Sequence, residues 1–138
     1  MIFVDSEAWI ALLDERDRFH DRSLRFQKEL RQGVHGRLVT TDYVLDEAVT
    51  YLRLHAGGDA LREFRRVPME SESMQVVWTP PERFWEAWGR LQERDGKRWS
   101  LTACLSFVTM GALGIRSAFG FDSDFRQAGF ELLPCPVG

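Results

Sequence analysis

Asp5, Glu47 and Asp122 are far apart in the chain, yet each belongs to a short apolar or β-branched run. Asp5 ends the run from Ile2, Asp122 follows the run from Ala118, and Glu47 lies on the helix expected after the run from Leu38. In an α/β fold the carboxyl ends of strands are where ligands bind. Acids gathered at one sheet edge repel each other, and a hard divalent cation relieves that repulsion through oxygen ligation. The chemistry this suggests is metal-assisted. Each acid also has an ordinary reading: Asp5 as a helix N-cap, Glu47 as a plain helical glutamate, and Asp122 or Asp124 as the cap of a short turn.

The elements that must position these acids alternate. Ile2 to Val4 reads as a strand, and Asp5 or Ser6 as the cap of a helix carrying Ala8, Trp9, Leu12 and Leu13. A charged stretch leads to a second helix through Leu24, Phe26 and Leu30, ending near Gly33 or Gly36. Leu38 to Thr41 reads as the next strand, with Asp42 as N-cap of the helix that bears Glu47. Gly57-Gly58 ends that helix, Asp59 starts another that Pro68 closes, and Met74 to Trp78 forms a third strand. Pro80-Pro81-Glu82 opens a helix broken at Asp95-Gly96, and Ser100 caps the following one. A fourth strand at Ala118 to Phe121 and a fifth at Phe130 to Leu133 complete the pattern. Short apolar strands alternating with helices predict one α/β domain over residues 1–138, with a parallel sheet covered on both faces.

Composition bounds the reading. A chain of 138 residues, 44% apolar and 28% charged, is long enough for one real core. It has neither a signal-peptide pattern nor an apolar run of membrane-spanning length, so a soluble, cytoplasmic protein is expected. Cys104 and Cys135 fit no zinc spacing and no disulfide framework. The net charge is −3, but 16 of the 18 basic residues are arginine, whose guanidinium suits phosphate geometry. A solvated helix face, with arginine favoured by base composition, is the preferred account of the arginine clusters. Lys97, Arg98 and Trp99 precede the Ser100 helix and suit either RNA contact or a turn with a core tryptophan. Trp9, Phe19, Phe26, Trp85 and Trp88 are many large apolar groups for one small core, so some are expected at a partner surface.

The segments I-F-V-D-S, V-T-T-D-Y-V-L-D-E, F-W-E-A-W, W-S-L-T-A-C-L-S-F and F-D-S-D-F-R-Q-A-G-F-E-L-L-P resemble PIN-domain ribonuclease toxins of the VapC type. The resemblance spans nearly the whole chain in motif order. It implies a PIN-like fold, a parallel sheet of about five strands flanked by helices, and a Mg²⁺ or Mn²⁺ site that hydrolyses RNA. It also implies acidic site roles for Asp5, Glu47 and Asp122, with Asp124 as a further metal ligand, and partnership with a VapB-like antitoxin and with a second copy in a homodimer.

Two positions depart from the pattern. The family normally carries aspartate where this chain has Ala103, and often threonine where it has Gly120. With Ser100 as N-cap, position 103 is N3, where an acid would cap amides or support a nearby cation and alanine does neither. The expected consequence is an impaired nuclease, with less repulsion among the remaining acids when no metal is bound. An engineered substitution that disarms a toxic nuclease and a naturally lapsed member both suit Ala103, and the retention of the other motifs favours the first. The alternative function is a non-catalytic module that binds RNA or protein. A phosphoacceptor domain fits less well, because Glu7 stands where a second aspartate would be needed.

Overall fold

The computed structural model describes residues 1–93 and 97–135, the side chains of 67–70 excepted. Its strands are β1 (Ile2–Val4), β2 (Leu38–Thr41), β3 (Met74–Val77), β4 (Ser117–Phe119) and β5 (Glu131–Leu133). All pair in parallel, in the order β3-β2-β1-β4-β5. The α/β class and the five-stranded parallel sheet implied by the resemblance are what the chain forms.

Between the strands run α1 (Ser6–Leu13), α2 (His20–Arg31), α3 (Asp42–His55), α4 (Gly58–Glu70), α5 (Pro81–Glu93), α6 (Leu101–Leu113) and the short α7 (Asp124–Gln127). The strand order decides where a ligand can go. From β1 the chain steps outwards to β2 and β3, then returns to lay β4 on the other side of β1. The connections leave β1 in opposite directions, so a crevice opens beyond the carboxyl ends of β1 and β4, the topological switch point of the sheet. Asp5 and Asp122 follow those two strands.

Both faces of the central strand are covered, as its unbroken apolar sequence requires. Val4 and Phe119, paired in register, lie with Trp9 of α1 and Leu30 of α2 around one cavity. Phe3 faces the other way onto Phe125, which packs edge-on against Phe107 of α6 at 5.0 Å. From Ala103 to Met110 every residue of α6 is buried, so this helix belongs to the core all round.

Two local expectations change. The N-cap of α3 is Thr41 rather than Asp42: its hydroxyl accepts from the Val44 amide at 3.2 Å, because the last residue of β2 still has extended backbone and Asp42 is already helical. Helix α4 runs through Pro68 to Glu70, since a proline in a last turn removes one donor without stopping the chain from remaining helical. Of the two readings open for Trp99 the core one holds, with its ring packed edge-on against Phe107 at 5.2 Å. The expected break at Asp95-Gly96 lies outside the described residues. Ser100 caps α6 as expected, its hydroxyl accepting from the Ala103 amide at 3.0 Å.

Candidate acidic site

Asp5 occupies the N-cap position of α1, but its side chain makes no capping hydrogen bond, so the ordinary explanation of this residue does not hold. The carboxyl is nonetheless buried, with the residue 6% exposed. Its backbone is fixed by the sheet: the Asp5 amide donates to the Phe119 carbonyl at 3.0 Å, extending the β1–β4 ladder by one residue. Beside it Gly120 leaves the space the side chain fills, since a Cβ there would stand 3.1 Å from the Asp5 Cβ. The departure from threonine at this position therefore lies against the most buried acid of the site.

Burial pushes the Asp5 carboxyl up to about 8, opposed by the Ser6 amide and reinforced by the charges of Glu7, Glu47 and Asp122. Such a group holds its proton at neutral pH unless a cation replaces it. Glu47 reaches the site from α3 and accepts a hydrogen bond from the buried Ser6 hydroxyl at 2.5 Å, which links the first turn of α1 to the second turn of α3. Asp122 accepts from the Asp124 amide at 2.9 Å and so opens α7. Asp124 is raised by desolvation and then by the Asp122 charge and hydrogen bond, with Lys97 opposing.

Glu7 was absent from the acids singled out by sequence. It sits on the exposed side of the first turn of α1, and its carboxyl is raised by desolvation and then by Asp122, Asp17 and Glu47, with Arg18 pulling it down. The available signal was its position two residues after Asp5 at a helix start, which the helix dipole explains equally well. Ala103 is a buried methyl in the first turn of α6. The thiol of the adjacent Cys104 is raised by burial and then, against the opposing pull of Arg90, by Asp124, so this turn lies within electrostatic reach of the acids.

The donors are all carboxylate oxygens, and the most buried of them, on Asp5, makes no capping hydrogen bond to its helix. That chemistry fits a hard divalent cation. The acids converge electrostatically without closing into a cage: among the described residues no three such side chains stand close enough to hold one ion together.

The PIN domain family matches residues 2–131. The 23S rRNA-specific endonuclease VapC20 of Mycobacterium tuberculosis is 31% identical over 130 residues, in the CDC 1551 and H37Rv strains alike, covering 94% of this chain and 95% of that protein. The crystal structure of the M. tuberculosis VapC20, described as a sarcin-ricin loop cleaving toxin, superposes with a TM-score of 0.84 at 29% identity, over 94% of this chain and 96% of that one. FitAcB from Neisseria gonorrhoeae shares the fold, with a TM-score of 0.64 at 12% identity over 96% of each chain.

Proposed function

The chain belongs to the PIN-domain family, and from that premise we propose that it is a toxin-type endoribonuclease working as one domain through an acidic Mg²⁺ or Mn²⁺ site. The observation that supports this most is Asp5: buried, uncapped, and within reach of the charges of Asp122, Glu47 and Glu7 at the switch point of the sheet. By its relationship to VapC20, ribosomal 23S RNA is the first substrate to examine.

Asp5, Glu47 and Asp122 would hold the cation, with Asp124 beside Asp122, once its charge draws together carboxylates that stand too far apart to share an ion without it. When bound, the ion supplies Lewis-acid polarisation of the phosphoryl group and acidifies a water molecule. The Ser6 hydroxyl holds Glu47 towards the site. The bond from the Asp5 amide to the Phe119 carbonyl fixes its backbone, and Gly120 leaves room for its side chain. Position 103 brings a methyl group where the family pattern has a carboxylate, so the site as it stands lacks one oxygen ligand or proton acceptor. We propose that cleavage is impaired for that reason.

The same methyl group favours one second reading, a module that keeps the fold and binds RNA or protein without cutting. Assaying the chain and its Ala103→Asp variant on 23S RNA with Mg²⁺ separates the two. The nuclease reading expects cleavage to rise by roughly 10²-fold or more on restoring the acid, as for loss of a group acting in the transition state, and to vanish with a chelator. Binding without cleavage in both forms would establish the second reading.

The proposed partners are an RNA substrate, a VapB-like antitoxin and a second copy of the chain, with a cytoplasmic site of action. Among the described residues no helix is long and apolar enough to cross a membrane. Helix α5 and the residue after β3 present Trp85, Trp88, Leu91 and Trp78 to solvent, an apolar face suited to protein association.

A further inference from the structure

Next to the acids a groove leaves the site along the α1–α2 loop. It begins as a cavity of about 200 Å³ lined by Glu7, Ile10, Asp17, Arg18, Phe19 and Tyr51. It continues into one of about 540 Å³ that shares Asp17, Arg18 and Tyr51 and extends to Arg16 and His55. Glu7 is thus common to the acidic site and to the mouth of the groove.

The groove carries a fixed cation. Phe19 stacks on Phe121 with ring centres 4.1 Å apart and planes 5° from parallel, and Phe121 directly precedes Asp122. The Arg18 guanidinium lies over Phe19, 4.5 Å from the ring centre. Among the described residues Arg18 forms no ion pair. Its weak hydration and planar shape suit both the ring beneath it and a phosphate above it. The aspartates nearby are turned onto the loop itself: Asp17 accepts from the Phe19 amide at 2.8 Å and Asp14 from the Arg16 amide at 3.0 Å. Across the groove Tyr51, 39% exposed, offers an aromatic ring leaning on His55.

An acidic site repels the backbone of its own substrate, so a polyanion needs a cation beside the acids to come close. We propose that this groove is the path of the RNA strand next to the cleaved bond, with Arg18 holding a phosphate and Tyr51 stacking the neighbouring base. The inference rests on the endoribonuclease reading and names its substrate-binding residues. Arg18 and Tyr51 are binding residues here, and Phe19 positions Arg18.

The test is anisotropy of a labelled sarcin–ricin RNA stem-loop with the full chain, across a salt series. Arg18→Ala is expected to weaken binding about fivefold to tenfold at low salt and to reduce the slope of log affinity against log salt by about one. Tyr51→Ala is expected to weaken it about tenfold with little change in slope, and Tyr51→Phe to retain most of the affinity. Arg116→Ala, at the opposite end of β4 from Asp122, serves as the control and should bind unchanged. In an Ala103→Asp background that cleaves, Arg18→Ala should raise KM more than it lowers kcat. If the unsubstituted chain binds the RNA and neither Arg18→Ala nor Tyr51→Ala weakens it, the groove assignment is wrong and the nuclease reading stands. If the unsubstituted chain and its Ala103→Asp variant neither bind nor cut RNA, the nuclease reading fails and takes the groove with it.

Discussion

At the scale of single residues the site is governed by what burial does to Asp5. Its carboxyl titrates near 8 in the folded chain against an ordinary 3.8, so over that range the folded protein keeps a proton that the unfolded chain releases. The contribution to stability is fully present below the unfolded value and is lost as pH rises through the folded one. Thermal melting of the metal-free protein should therefore move to lower temperature between about pH 5 and about pH 8.5, with a shallower fall in Asp5→Asn. An identical pH slope in the two proteins would show that Asp5 is not the titrating group. Mg²⁺ binding should displace the proton, so affinity strengthens towards pH 8. Asp5 was readable from sequence as an acid after a strand. Its lack of a cap bond and its contact with Gly120 were not, because both depend on β4 lying alongside β1.

At the scale of elements, caps and crossovers aim the side chains. Ser100 fixes the first turn of α6, which carries position 103 and has no acidic residue to favour its N-terminus. Ser100→Ala should cost about 1 kcal/mol, read as a lower urea midpoint with unchanged m-value. A midpoint within error of the parent would mean that the buried packing of α6 alone sets this end. Ser100 was legible because cap residues act on amides two or three positions away. Thr41 was not preferred over Asp42, since the two are chemically suited alike and only the point where β2 ends decides between them.

At the scale of the whole molecule, the surface divides into an acidic crevice with its groove and an apolar face on α5. Trp85 is 63% and Trp88 42% exposed, and their rings meet edge-on at 6.1 Å. If the proposed homodimer uses this face, sedimentation equilibrium of Trp85→Glu should shift the chain from dimer towards monomer while its circular dichroism stays the same. An unshifted dimer would place the association elsewhere. The sequence predicted an excess of large apolar residues, but not which ones: Trp9 and Phe26 are buried, while Trp85 and Trp88 are not.

By itself the sequence determined the alternation of strands and helices and the family pattern, and it nominated Asp5, Glu47, Asp122 and position 103 as candidate site residues. Those signals are local, carried by periodicity, caps and motif order along the chain. The tertiary structure decided that Glu7 joins the acids, that Gly120 makes room for Asp5, and that Phe19 meets Phe121 to hold Arg18 at the mouth of a groove. Each of these joins segments that meet only when the strand order reverses at β1, and spacing along a chain does not encode proximity across a sheet.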